Sequence, residues 1–140
     1  MRKRFKAAVA TLVLLLTAVI SITVSAGPAQ AVGCTGGNCV GDDPQAMGCA
    51  SGATSLASVR PIGGGPAVFL RWSSSCVANW ARIEDGSVPG YWDFWAETSN
   101  GHTEPKMWSN AFWSFMVDGN MAARACIKNG FGQVSCTGWY

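Results

Sequence analysis

The sequence predicts a mostly β protein, a small disulfide-stapled β-sandwich or partly open barrel with a loop-rich N-terminal region. Short runs of aromatic and β-branched residues recur after residue 66, and turn signals separate them about every 8 to 12 residues. Six cysteines follow an apolar leader, and an even number of cysteines in an exported chain indicates disulfides. Together these features predict one stapled β domain.

The first 31 residues have the layout of a secretory signal peptide. A basic start precedes a largely apolar run that ends near Ala26, and small residues at Ala29 and Ala31 suit a signal peptidase. We therefore predict cleavage after Ala31 and a secreted, extracellular single domain over 32–140. An uncleaved membrane anchor is the alternative, because a run of about 20 apolar residues can span a bilayer.

Cleavage would change the net charge from +2 to −2, because four of the ten basic residues and none of the eight acids lie in the leader. No basic cluster remains in 32–140, so we expect no nucleic-acid partner. We also expect no stable membrane insertion after cleavage. The sequence leaves the oligomeric state open.

All the cysteines lie after the predicted cleavage site: Cys34, Cys39, Cys49, Cys76, Cys126 and Cys136. Six cysteines allow 15 pairings, so the sequence leaves the connectivity open; on proximity in sequence alone, we pair Cys34 with Cys39, Cys49 with Cys76, and Cys126 with Cys136. A zinc site is the alternative, but paired C-x2-4-C knuckles are missing and His102 is the only histidine. Asp42 and Asp43 lack the spacing of a calcium loop, so we expect them to form a turn. We expect no metal and no cofactor.

The first half of the predicted domain contains a loop region and a hairpin. Gly, Asp and Ser over 32–56 favour turns, and the breaker 61–66 joins this region to the first predicted strand. Aromatic and β-branched residues predict strands over 67–72 and 76–83, and the serines 73–75 connect them tightly.

The next segments continue the β pattern. Over 91–97 Tyr, Asp, Trp and Glu alternate with Trp, Phe and Ala, which predicts a strand, and the loop 99–102 follows. Residues 107–108 and 111–117 also read as strand. Asp-Gly-Asn at 118–120 predicts a hairpin turn.

The last segments predict a second hairpin. Residues 122–127 and 133–137 would pair around Asn129-Gly130. A helix over 121–128 competes with this prediction, because Met, Ala and Arg have high helix propensity.

Three segments resemble the YjfA-like family of secreted bacterial proteins, a domain of unknown function common in actinobacteria. They are Cys39-x-Gly41-x-Asp43-Pro44-x-x-x-Gly48-Cys49, Phe69-Leu70-Arg71-Trp72-Ser73-x-x-Cys76-x-Ala78-x-Trp80-Ala81-Arg82 and Ala123-x-Ala125-Cys126-Ile127. The resemblance covers nearly all of 32–140 and implies an exported domain, but it supplies no catalytic residues. Trp72 and Phe69 depart from the tyrosine and glutamate that the resemblance leads us to expect.

Seven tryptophans lie in 32–140, more than a small domain buries easily. We expect Trp80 and Trp113 in the core, one of Trp92 and Trp95 facing inward and the other outward, and the exposed rings to supply a binding surface. The aromatic candidates for binding are Trp92, Trp95, Trp108, Trp139 and Tyr140. The sequence therefore predicts a non-enzymatic extracellular module that recognises a cell-wall polysaccharide or an extracellular protein.

Two other functions stay open. A rigid scaffold or inhibitor could present the loop 99–105 to a secreted enzyme. A small hydrolase could use His102 with Glu104 or Asp93, although the chain has no Gly-x-Ser-x-Gly elbow. A glycosidase pair would come from Asp93, Glu97 and Glu104; we expect surface charges instead and predict no enzyme.

Overall fold

The computed structural model describes residues 31–140, so the predicted signal peptide lies outside the described residues except for Ala31. Short 3-10 helices occur at Gly36–Cys39 and Pro89–Tyr91. Within this range no helix is long and apolar enough to cross a membrane. The strands are β1 Thr54–Val59, β2 Val68–Ser73, β3 Ala78–Ile83, β4 Asp93–Thr98, β5 Thr103–Pro105, β6 Val117–Asp118, β7 Ala123–Lys128 and β8 Val134–Cys136.

The strands form two antiparallel sheets of four strands each. The strand order is β1-β2-β3-β6 in the first sheet and β5-β4-β7-β8 in the second. The two sheets pack on each other and do not close into a barrel. The predicted mostly β fold is confirmed, and of its two forms the chain adopts the sandwich.

Side-chain alternation along the strands builds the core between the sheets. In β4, Phe94 and Ala96 are buried while Trp95 is on the opposite, partly exposed face. Burying one large apolar side chain stabilises the fold by about 1.5–3 kcal/mol. The fully buried partners of these residues come from β2, β3, β6 and β7: Val68, Leu70, Ala81, Ile83, Val117, Ala123, Ala125 and Ile127.

A second, smaller core lies on the outer side of the first sheet. Trp80 is 2% exposed and packs there with Cys49, Cys76 and Met116, which confirms the expected core position of this ring. Trp113 packs against the same cluster while remaining partly exposed. The N-terminal loop region thus covers part of the outer face of β3.

The three disulfides are those predicted, Cys34–Cys39, Cys49–Cys76 and Cys126–Cys136. The Cys49–Cys76 bond ties the N-terminal region to the turn between β2 and β3. The Cys126–Cys136 bond joins directly opposite residues of β7 and β8. Each disulfide restricts the unfolded chain by an amount that grows with the length of the loop it closes.

The prediction of a loop up to residue 56 was wrong at its end. Thr54–Val59 forms β1, which pairs antiparallel with β2 and shifts register between Ser55 and Ala57. Most side chains of β1 are exposed, and Val59 packs only partly against the main core, so the strand has too short an alternating apolar pattern for the sequence to reveal. Backbone pairing with β2 holds this edge strand.

The predicted hairpin about 118–120 was also wrong. β6 pairs with β3 in the first sheet, whereas β7 pairs with β4 in the second. Residues 119–122, between β6 and β7, therefore carry the chain from one sheet to the other. Turn chemistry determines that the chain reverses, but it does not determine which strand the chain pairs with.

Most of the predicted strand 111–117 is irregular. Isolated bridges link Trp113 to Arg82 and Ser114 to Lys106, and only Val117 belongs to β6. Backbone hydrogen bonds join Met116 to Asp42 and Gly41 instead of a neighbouring strand. The N-terminal region pairs with part of this segment, and Trp113 and Met116 pack in the second core while Phe112 and Val117 pack in the main core.

The predicted strand within 121–128 and its hairpin with the last strand are confirmed. Alternate residues of β7 are buried between the sheets, a spacing that a helix could not give. Asn129 Oδ1 accepts hydrogen bonds from the backbone N–H groups of Phe131 and Gln133, at 3.0 and 2.9 Å. This side chain closes the turn between β7 and β8.

A tight contact holds the turn after β2 against the turn after β6. Val77 has φ +49°, a left-handed conformation that is unfavourable for a β-branched residue. Its carbonyl accepts the Gly119 N–H at 3.0 Å. A Cβ at Gly119 would overlap the Trp72 ring and lie 2.5 Å from the Val77 oxygen, so only glycine fits there.

We expect Gly119→Ala to lower the free energy of unfolding by about 1–3 kcal/mol, because the added methyl forces the two turns apart. Urea denaturation followed by tryptophan fluorescence measures this. Gly130→Ala is the matched control, since its Cβ would meet no heavy atom within 4 Å. Equal effects of the two substitutions would contradict the close approach described here.

Removing the Cys49–Cys76 disulfide should destabilise the protein more than removing Cys34–Cys39. The sequence separations are 27 and 5 residues, which corresponds to a difference of about 1.5 kcal/mol in chain entropy. Paired alanine substitutions compared by urea denaturation check this order. A larger loss from the shorter loop would show that packing of Cys34 and Cys39 outweighs loop closure.

Candidate functional site

The outer face of the second sheet has Trp95 at its centre. The antiparallel register places Trp95 opposite Pro105 on β5 and opposite Cys126 on β7. Cys126 is bonded to Cys136 on β8, so an apolar band crosses this face. We name this face the Trp95 platform, and its members are Asp93, Trp95, Glu97, Pro105, Arg124, Lys128 and Trp139.

A chain of polar contacts fixes two indole rings on the platform. Trp95 Nε1 donates to Glu97 Oε2 at 2.6 Å, and Glu97 Oε1 accepts from Arg124 Nε at 2.6 Å. The Arg124 guanidinium carbon lies 4.4 Å from the centre of the Trp139 ring, a cation–π distance worth about 0.5–2 kcal/mol. Neither Trp95 nor Trp139 can reorient without breaking part of this chain.

A cleft of about 350 Å³ opens at the end of the platform where β4 begins. Trp108 is 46% exposed and makes an edge-to-face contact with Trp113, the ring centres 6.3 Å apart. The cleft is lined by Asp93, Trp95, Pro105, Lys106, Trp108 and Lys128, among others. Two aromatic rings and three charged groups therefore face one space.

The charged groups of this cleft are coupled. Asp93 Oδ2 lies 2.9 Å from Lys128 Nζ, and Asp93 Oδ1 lies 3.9 Å from Lys106 Nζ. The hydrogen bond from Lys128 is the largest effect and holds the pKa of Asp93 below its usual value; burial opposes it, and the charges of Lys128 and Lys106 add smaller lowering effects. One carboxylate between two ammonium groups leaves the cleft with net positive charge.

The other predicted aromatic residues lie elsewhere. Trp92 packs partly against the main core and, with Tyr91, lines a separate open groove of about 510 Å³. Tyr140 pairs with Ala123 through both backbone groups and lines a cavity of about 230 Å³ beside Trp72. The structure therefore brings Trp95 and Trp108 together, places Trp139 on the same platform, and separates Trp92 and Tyr140 from them.

The acids proposed for catalysis do not form one site. His102 Nε2 lies 2.8 Å from Glu104 Oε1, whereas Asp93 is at the opposite end of β4 from the His102 turn. Asp93 and Glu97 are separated by about 13 Å along the strand, beyond the spacing of about 5–9.5 Å typical of glycosidase carboxylates. Asp93 and Glu97 each form ion pairs with basic residues of β7.

Four sulfur atoms cluster in the N-terminal region. The Sγ atoms of Cys34, Cys39, Cys49 and Cys76 all lie within 4.8 Å of one another. They form two disulfides, and a bonded sulfur offers no thiolate to a metal. Nearby, Asp43 Oδ1 accepts the Gln45 N–H at 2.7 Å, as expected for a turn.

Sequence reasoning missed the partners of Trp95 on the neighbouring strands. Alternation over 91–97 already groups Asp93, Trp95 and Glu97 on one face of β4. Arg124 and Lys128 could not be placed beside them, because that needs the register between β4 and β7.

We expect Lys128→Met to raise the pKa of Asp93 towards its usual value of about 3.9. The depressed pKa means that ionised Asp93 stabilises the fold above the unfolded-state pKa, and that this contribution is lost as pH falls through the folded-state pKa. Carboxyl ¹³C titration by NMR measures the Asp93 pKa. Lys106→Met removes the longer contact to Asp93 and should change the Asp93 pKa less. An Asp93 pKa that does not change in Lys128→Met would contradict the pairing of Asp93 with Lys128.

Residues 37–126 match the family described as a protein of unknown function, DUF2690. The matched range runs from the 3-10 helix at Gly36–Cys39 into β7 and includes β4, which carries Trp95. No curated protein and no solved structure matches the chain. Because the match spans more than half of the sequence, the chain belongs to the DUF2690 family of proteins of unknown function.

Proposed function

We propose that the chain is a secreted, non-enzymatic module that binds a cell-wall glycan on the Trp95 platform. The observation that carries the proposal is the cleft in which Trp95 and Trp108 face the same space as Asp93, Lys106 and Lys128. Ligand sites typically combine apolar and aromatic walls with a few well-placed polar groups.

The cleft contains groups that match both the apolar face and the polar edge of a sugar ring. A sugar ring has apolar C–H faces and hydroxyl groups around its edge, so its face stacks on an indole and its edge needs hydrogen-bonding groups. Because Trp95 Nε1 is already bonded to Glu97, the face of the Trp95 ring is the part left for a ligand. Asp93 can accept hydrogen bonds from hydroxyl groups, and Lys128 can donate them.

The site is arranged before a ligand arrives. Glu97 and Arg124 hold the rings of Trp95 and Trp139, and the Cys126–Cys136 disulfide braces the strands beneath. Ordering rotamer-rich side chains on binding costs about 0.5–1.5 kcal/mol each. Rings fixed in the free protein avoid much of that cost.

A polymeric ligand suits the platform better than a single sugar. Trp139 contacts Arg124, which lies opposite Glu97, whereas the cleft lies at the Asp93 end of the same strand. These two ends are about 13 Å apart along β4. A polysaccharide that extends along the strand would therefore contact rings at both ends.

Several features support an extracellular location. The predicted signal peptide, the resemblance to YjfA-like secreted proteins and the three disulfides all favour an oxidising compartment. A cell-wall glycan is a ligand that a protein in this location meets.

The alternative functions stay predictions with weaker support. Residues 99–102 form the turn between β4 and β5, and Thr103–Pro105 pairs with β4, so 99–105 offers little free loop to a partner enzyme. The contact between His102 and Glu104 lies beside a different cavity, of about 280 Å³, which Asp118 also lines.

We expect Trp95→Ala and Trp108→Ala each to weaken binding to insoluble peptidoglycan by about tenfold or more, since a stacked ring contributes about 1–3 kcal/mol. Co-sedimentation of the oxidised 32–140 protein measures binding, and unfolding curves show whether each variant remains folded. Phe131→Ala is the matched control, because Phe131 is 93% exposed and lies outside the cleft.

Failure of the wild-type protein to bind peptidoglycan or soluble polysaccharides would overturn the glycan proposal. An equal loss with Phe131→Ala would mean non-specific adhesion of exposed rings. Retention of a co-secreted protein that depends on Trp95 would assign the platform to a protein surface instead.

A further inference from the structure

Arg71 differs from the other cations in the described part of the chain. Each of the other five lies within 4.0 Å of a carboxylate: Arg60, Arg82, Lys106, Arg124 and Lys128. Across residues 31–140 no ion pair of this kind involves Arg71. Its guanidinium charge is therefore not neutralised by direct contact with an acid.

The surroundings of Arg71 leave its Nε donor unused. One terminal nitrogen donates to Ser55 Oγ at 2.7 Å, and the other donates to the Ala53 carbonyl at 2.5 Å. The Nε atom is buried and has no hydrogen-bond partner. A buried polar atom without a partner is uncommon in folded proteins and calls for an explanation, such as strain, a functional role or a bound water or ion.

A second arginine shares the same face of the first sheet. Phe69 pairs with Arg82 and Arg71 pairs with Trp80 in the register of β2 and β3, so the two arginines are diagonal neighbours. Burial first, and then the charge of Arg82, lowers the pKa of Arg71, whereas Asp85 opposes this. The two guanidinium groups are close enough to repel each other.

These residues surround a cavity of about 190 Å³, which we name the Arg71 cavity. Its lining includes Ser55, Phe69, Arg71, Arg82 and Asp85. A water molecule occupies about 30 Å³ of liquid, so there is room for a small polyatomic ion. Two arginines and one aspartate give the lining net positive charge.

We propose that the Arg71 cavity binds an oxyanion, a carboxylate or phosphate group of a soluble ligand, between the guanidinium groups of Arg71 and Arg82. Arginine forks match the planar or tetrahedral oxygens of these groups better than a lysine does. The oxyanion neutralises the charge that Arg71 now leaves uncompensated.

Asp85 would compete with the ligand for Arg82. Its carboxylate lies 2.6 Å from the Arg82 guanidinium, and its side chain is 78% exposed. An ion pair that exposed is weak, so an incoming oxyanion can displace it. This site is on the first sheet and shares no residue with the Trp95 platform, so the oxyanion proposal does not depend on glycan binding.

The test titrates the oxidised 32–140 protein with sodium phosphate and, separately, with sodium acetate at constant ionic strength, and follows the arginine Nε–H signals by NMR. We expect a saturable shift of the Arg71 signal with at least one of the two anions. Phosphate alone assigns a phosphate group, and acetate alone assigns a carboxylate. No saturable shift with either anion overturns the proposal.

Variants separate a binding site from a general salt effect. Arg82→Gln should weaken anion binding by about tenfold or more. Arg60→Gln, which removes an exposed arginine paired with Glu84, should leave the anion affinity unchanged. Asp85→Asn should strengthen binding, because it removes the competing carboxylate. Weaker binding in Asp85→Asn, or equal losses in the two arginine variants, overturns the proposal without requiring Arg71→Gln to fold.

Discussion

The pairing of β4 with β7 is the constraint on which the rest of the structure depends. Six residue pairs join these strands, from Asp93 with Lys128 to Thr98 with Ala123. One face of the pair supplies the second sheet's share of the core, and the other face becomes the Trp95 platform. Because side chains alternate with a period of two residues, a slip of one residue would exchange these faces. Core and candidate site therefore share one register.

The N-terminal region determines which part of the first sheet stays open. The Cys49–Cys76 disulfide holds it against the turn after β2, and its cysteines pack with Trp80 and Met116 into the second core. This cover does not close the Arg71 cavity, which remains open on the same sheet. A small domain gains from such staples because its main core alone supplies modest stability. Here the disulfide-held region also buries the Trp80 ring and leaves the polar Arg71 cavity exposed.

Several local features are unfavourable for stability. Val77 adopts a left-handed backbone conformation, Arg71 leaves a buried donor without a partner, and Trp108 and Trp139 stay nearly half exposed. Natural sequences tend to depart from locally optimal choices at functional or strained positions. The cleft beside Trp108 and the Arg71 cavity are therefore the parts of the surface where a ligand would supply what the fold leaves unsatisfied.

The sequence by itself determined the β class and the hairpin β2–β3, and it favoured the hairpin β7–β8 and the three disulfide pairs, whose connectivity it left open. These features depend on neighbours in sequence: alternating side chains, cysteines that follow one another along the chain and turn residues such as Asn129. Aromatic composition also identified Trp95 and Trp108 as candidates, but not that they share a cleft. Only the tertiary structure decided that β1 exists, that 119–122 crosses between sheets, and that Glu97 meets Arg124. Those outcomes depend on pairing between distant strands, and competition among possible partners is resolved only when the whole core packs.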